Sequence, residues 1–219
     1  MARLKNGILG PLIGKIANLV GYVRLGQPVI RMEARKRKKK RVRSDAQKAV
    51  NLRFKIVKSF IAVISGFINV GYKLDVAGTT KIPENNAVSY HINEAVTGTY
   101  PDLVLDYSKV LISRGKLSGP LNPTVELEGD VLKFKWDVDP KSDWKRKRDQ
   151  VMLLAYKTAT HESDYIVSGA RRFEGEDELR VQIARHKNRK DDFLETYMAF
   201  ISDDRQSISN SVYVGRVAV

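Results

Sequence analysis

Thr124-Val125-Glu126-Leu127-Glu128-Gly129-Asp130-Val131-Leu132-Lys133-Phe134-Lys135-Trp136 decides the fold of this chain. Val125 and Leu127 alternate with Thr124 and Glu126; beyond the Glu128-Gly129-Asp130 turn, Leu132, Phe134 and Trp136 alternate with Lys133, Lys135 and Asp137. Period two puts one side of each strand in a core and the other in water, and the Gly between them supplies the hairpin turn. A helix would need apolar residues three and four apart, which this stretch lacks.

Downstream the same signal recurs at short intervals. Strands are predicted at 151–157, 165–172, 178–184, 194–202 and 210–217; at Leu179, Val181 and Ile183 the period of two is explicit. Seven strands in about a hundred residues is the expectation for a β-sandwich. Gly119-Pro120 and Asn122-Pro123 mark its start.

Upstream the character is different. Ser44-Asp45-Ala46-Gln47 has the form of a capping box, and Val50, Phe54, Val57, Ile61, Ile64 and Ile68 follow with spacing 4-3-4-3-4. That predicts a helix over 44–70, with Gly66 as a blemish and Asn69 with Gly71 as its stop. A shorter helix is predicted over 85–96, and extended chain at Leu103–Asp106 and Lys109–Ser113. Residues 14–34 read as a β-hairpin turning at Leu25-Gly26-Gln27, against a competing amphipathic helix over 8–23.

Charge is distributed unevenly. Residues 1–44 carry 13 of the 39 Lys and Arg but only one acid, Glu33; the remaining 175 residues hold 26 basic and 24 acidic side chains. The excess is concentrated in Arg35, Lys36, Arg37, Lys38, Lys39, Lys40, Arg41 and Arg43. Such a run attracts polyanions by counterion release and positions them without reading sequence. A nucleic acid is the leading partner; an acidic lipid surface, an acidic protein or a merely solvated loop are the alternatives. Lys145, Arg146, Lys147 and Arg148 beside Trp144 form a second patch, where the indole either stacks a base or packs under Lys stems.

The absence of cysteine removes disulfides, thiolate zinc sites and cysteine nucleophiles. Asp137, Asp139 and Asp143 fail as a calcium loop because Lys141 takes a ligand place, and His161-Glu162 lacks the second His of a zinc helix. The three histidines, His91, His161 and His186, are far apart, and no phosphate-cradling glycine motif occurs. No cofactor, no metal and no catalysis are expected. Residues 8–23 are interrupted by Pro11, Lys15 and Asn18, so neither a signal peptide nor a membrane span is expected, and the protein is read as cytoplasmic, with particle association or non-classical export as alternatives.

Two resemblances add to this. Trp136 at the end of the second strand, the Tyr197 strand and the Ser207–Ser211 loop resemble a fibronectin type III domain; the long charged 138–149 connection departs from it. Asn6-Gly7-Ile8-Leu9-Gly10, Gly14–Tyr22, Gln27–Arg31, Ser44–Gln47, Asp106-Tyr107-Ser108 and Ser113-Arg114-Gly115 are similar to a Bacteroidetes family catalogued as a domain of unknown function. That family implies no activity or site, and its usual link before the Ser/Thr-x-Ala-Gln segment is shorter and contains Pro.

The expected architecture is therefore α+β: an N-terminal β-hairpin and long helix (1–116), followed by a seven-stranded Ig/fibronectin-III-like β-sandwich (117–219). The expected function is a non-catalytic binding protein holding nucleic acid or another polyanion on its basic segment. The alternative is a structural subunit of a phage-tail-like or secretion-associated assembly, whose Gly-rich arm reaches a neighbouring subunit.

Overall fold

A computed structural model describes residues 2–34, 42–140, 143–182 and 193–219. The chain is α+β and divides into two compact units, one ending at Arg43 and the other running from Ser44 to Val219.

The first unit is an antiparallel meander of β1 (Arg3–Leu4), β2 (Leu12–Ile16), β3 (Leu19–Arg24) and β4 (Gln27–Met32), paired in chain order. The predicted hairpin is its β3–β4 half. Leu25 and Gly26 turn it with φ of 48° and 78°, the left-handed pair that matches strand twist in a two-residue hairpin. The helical reading of 8–23 gives way because the Ala17-Asn18 turn, with Ala17 at φ 49°, breaks the segment into β2 and β3.

The second unit opens with α1 (Asp45–Val63). Ser44 Oγ accepts from the Gln47 amide and Gln47 Oε1 accepts from the Ser44 amide, so the capping box forms as predicted. The continuous helix expected to residue 70 instead breaks at Ile64, and α2 (Ser65–Gly71) leaves at 88° to α1. Gly66 lies in the first turn of α2. A Cβ there would lie 2.1 Å from the Tyr165 hydroxyl, so its bare backbone lets that side chain seat its ring edge-on to Phe67, centroids 5.9 Å apart. Then come α3 (Pro83–Glu94), which replaces the expected 85–96 helix, and a hairpin of β5 (Val96–Thr99) and β6 (Asp102–Leu105). Of Lys109–Ser113, expected to be extended, Lys109 ends a 3-10 turn (Tyr107–Lys109), Val110 is extended, and Ile112 and Ser113 are held by side chains: Ser211 Oγ accepts from the Ile112 amide at 2.8 Å, and Ser113 Oγ donates to the Ser209 carbonyl at 2.9 Å.

Two sheets follow. β7 (Leu121–Glu128), β8 (Val131–Asp137) and, after a one-turn α4 (Trp144–Lys147), β11 (Glu176–Arg180) form one, in the order β11-β8-β7. The other has the order β10-β9-β12-β13, from β9 (Gln150–Lys157), β10 (Glu162–Ile166), β12 (Phe193–Ile201) and β13 (Val212–Ala218). Leu132, Phe134, Trp136 and Leu179 of the first sheet share a buried cluster with Val151, Leu153, Met198 and Phe200 of the second, a sandwich-like arrangement. The solvent face of β8 carries Lys133 between Glu126 and Glu178 across the strands.

The four-stranded sheet is buried on its other face too. Met152, Leu154, Tyr156, Tyr197, Ala199 and Ile201 alternate with the residues of the first cluster and pack with Val57, Phe60, Ile61, Phe67 and Ile68 of α1 and α2. The body is thus three layers: small sheet, large sheet, helices. The sequence-based boundary at 116/117 falls inside this body. The first half of the α1 stripe, Val50 and Phe54, stays exposed. Among the described residues, no single helix is long and apolar enough to cross a membrane.

Candidate polyanion interface

The strongest sequence candidates, Arg35 to Arg41, lie outside the described residues. What flanks them is described: β4 on one side and, on the other, exposed Arg43 and the Ser44 cap of α1.

The pairing register of the meander sorts its side chains. Residues opposite one another in an antiparallel ladder share a face, and neighbours along a strand alternate. Ile16 pairs with Leu19, Leu19 with Met32, Gly21 with Ile30 and Val23 with Pro28; all lie on one face, which holds no polar side chain. Lys15 pairs with Val20, Val20 with Arg31, Tyr22 with Val29 and Arg24 with Gln27 on the opposite face. Lys15, Arg24 and Arg31 are exposed there. Lys15 Nζ meets Glu33 at 2.5 Å, and the Arg31 guanidinium stands 6.0 Å over the Tyr22 ring. The sheet is therefore amphipathic, one side apolar and the other carrying cations that continue the charge of the run.

The second patch has a different electrostatic setting. Trp144 is 61% exposed, with Lys145 Nζ and the Arg148 guanidinium 6.0 and 5.7 Å over its ring, so the indole does not pack on the sheet. These residues border an open groove of about 350 Å³ whose other walls include Asp143, Asp149, Asp203 and Asp204. Three cations, Lys145, Arg146 and Arg148, and four acids make a mixed surface rather than a concentrated positive one. Arg146 also borders an adjacent groove of about 390 Å³ with Arg114 and Lys116. Those two cations were not singled out from sequence; the Ser113-Arg114-Gly115 segment was noticed only as a resemblance.

Behind the first groove lies a buried pair. Asp149, 2% exposed, meets Arg172 at 3.4 Å, and the guanidinium stacks 4.0 Å from the Phe200 ring centre. Arg172 also donates to the Ser118 carbonyl at 2.7 Å and hydroxyl at 3.0 Å. Burial raises the Asp149 carboxyl and lowers the Arg172 guanidinium, so desolvation outweighs their mutual attraction. Among the described residues, Asp149 Oδ2 and Arg172 Nε have no hydrogen-bond partner.

The other titratable groups of the core have structural partners. Glu195, fully buried, accepts from the Tyr213 hydroxyl at 2.6 Å and from Arg216 Nε at 2.8 Å. Tyr156 Oη lies 2.7 Å from His161 Nδ1, and burial raises that phenol well above its ordinary range. His186 lies outside the described residues. No group of three His, Asp or Glu among the described residues is placed to hold a metal ion.

His91 is fully buried in α3, with Nδ1 2.6 Å from the Ala87 carbonyl and Nε2 accepting from the Leu111 amide at 3.3 Å. Both contacts suit the neutral ring, and burial pushes its pKa down to about 4. Because the folded value lies below the unfolded value near 6.5, the unfolded chain takes up the proton first as pH falls. Stability is expected to decline between pH 6.5 and 4. His91→Gln should be less stable at pH 7 yet lose less across that window, as urea titrations at several pH values would show. A variant with the same acid slope as the parent would contradict this assignment.

The described elements define an α+β protein with a layered body and an amphipathic N-terminal sheet. The chain belongs to a family of unknown function (DUF6266), whose model matches residues 11–215, from the meander through the last strand. No curated protein and no solved structure matches the chain.

Proposed function

We propose that the protein is a non-catalytic binding protein that engages nucleic acid or another polyanion through its basic N-terminal segment, without reading sequence. The observation that carries this reading is the segregation of charge: a net +12 over residues 1–44 against +2 over the rest. The meander extends it, displaying Lys15, Arg24 and Arg31 together on one face. The core acids and phenols that a catalyst would need are instead tied into Glu195–Arg216 and Tyr156–His161 contacts. Cytoplasmic location follows from the same reading, since nucleic acid is the leading partner. We further infer that the two sheets of the body form a fibronectin-III-like sandwich, a reading supported by the three-plus-four strand orders and by Trp136 in the shared cluster.

Affinity for a single-stranded oligonucleotide, followed by fluorescence anisotropy, should fall linearly on a log–log plot against salt, by about 0.7 per phosphate neutralised. Replacing Arg35–Arg41 and Arg43 by Ser and Gly should weaken binding at least about tenfold at low salt and flatten that slope. Unchanged binding and unchanged retention on heparin after the replacement would sink the idea.

A second reading, a structural subunit of a phage-tail-like or secretion-associated assembly, is favoured by the uncovered apolar face of the meander. It predicts larger species in light scattering that vanish when residues 1–34 are deleted.

A further inference from the structure

We propose that the apolar face of the N-terminal meander is covered by the same face of a second copy of the chain, making a two-fold dimer whose core is two stacked sheets. The face consists of Ile16, Leu19, Val23, Pro28, Ile30 and Met32 around Gly21. Within the meander it lies open: Ile16 is 51% exposed, Leu19 43%, Val23 45%, Ile30 60% and Met32 66%.

An antiparallel sheet tolerates one wet face only if that face is polar. Here the charged residues occupy the opposite face, and both faces are exposed, the apolar one included. The exposed side chains amount to on the order of 500 Å², the size at which a contiguous apolar patch marks an interaction site.

Three features select a second copy as the occupant. First, an isologous contact presents the identical patch twice, and two such patches bury about 1,000 Å² together, the least a specific interface needs. Second, the face holds no hydrogen-bonding or charged side chain, so it suits a partner equally devoid of them, which its own copy is. Third, stacking sheets face to face puts Lys15, Arg24 and Arg31 on both outer surfaces, where their repulsion is screened by solvent. Gly21, opposite Ile30 in the ladder, is buried under the Leu12 side chain, which belongs to the same apolar face and levels it around Ile30. The dimer does not depend on polyanion binding, but it would bring two basic segments together and double the charge offered to one strand.

The full chain should sediment as a species of about twice the 24.8 kDa of one chain. Ile30→Glu should return it to a monomer, whereas Val29→Glu, one residue away on the opposite face, should leave it dimeric. Cysteine is absent from the chain, so single-cysteine variants report without background. Ile30→Cys should be joined into dimers by a short bis-maleimide and Val29→Cys should not. This second readout stands even if a charged variant folds poorly. A parent that is monomeric at all concentrations, or a dimer that survives Ile30→Glu, would overturn the proposal. Association that appears only with added vesicles or with another protein would overturn it as well. Serine replacement of the basic run should weaken oligonucleotide binding at least about tenfold and leave the dimer intact, so the two readings fail separately.

Discussion

Replacing Arg172 by Met should destabilise the 44–219 body by about 3–5 kcal/mol, as measured by urea denaturation with an unchanged m-value. Asp149 is 2% exposed, and its partner is the Arg172 guanidinium at 3.4 Å. With Met in place the carboxylate is left buried without a counter-charge, and both Ser118 contacts and the stacking on Phe200 are lost. The pH dependence has a definite sign. Asp149 already has a folded pKa above its ordinary value because of burial, and removing the Arg takes away the influence that lowers it. A group whose folded pKa is raised contributes its stability below the unfolded pKa and loses it as pH rises through the folded one. The deficit of R172M should therefore be smallest at acid pH and grow toward neutrality. The double variant Asp149→Leu, Arg172→Met should recover most of the loss, because it leaves neither charge unpaired and frees the two orphaned atoms from burial. A loss below about 1 kcal/mol for R172M would show that water reaches the pair and that the site is not the dry one described.

The segments legible in the sequence are those whose cause is local. Ser44 and Gln47 cap each other across three residues, Gly129 at φ 64° turns the β7–β8 hairpin, and Leu132, Phe134 and Trp136 alternate inward. The break at Ile64 was hidden because the apolar spacing runs on through it, and the Tyr165 side chain seated against Gly66 beside it comes from about a hundred residues away. Lys109–Ser113 read as extended chain, but the anchoring of Ile112 and Ser113 by Ser211 and Ser209 comes from equally far along the sequence. Of the candidate interface, the basic run was plain from composition. The apolar and cationic faces of the meander were implicit in its alternation, but a sequence does not show that a face stays uncovered. The placing of Asp203 and Asp204 in the same groove as Lys145, Arg146 and Arg148 was equally invisible, since those acids come from the loop after β12.

One signal was present in the sequence and carried more than a strand assignment. Val151-Met152-Leu153-Leu154-Ala155-Tyr156 does not alternate; it is apolar throughout, the pattern of a strand covered on both sides. β9 is buried along nearly its whole length because Leu153 faces the three-stranded sheet and Leu154 faces the helices. Leu154→Ala and Leu153→Ala should consequently each cost about 2–5 kcal/mol, even though they touch different layers. In a half-exposed sheet only one of the two would matter. Leu154 is opposite Tyr165 and Tyr197 in the ladder, and its face meets Phe60, Ile61 and Phe67, so a cavity there cannot be filled by water or by a mobile loop. Chemical denaturation of both variants in the full chain measures the comparison. If Leu154→Ala lost less than about 1 kcal/mol while Leu153→Ala lost its full share, the helices would be an appendage and the sandwich a domain in its own right. Equal losses would mean that α1, α2 and both sheets unfold as one cooperative body.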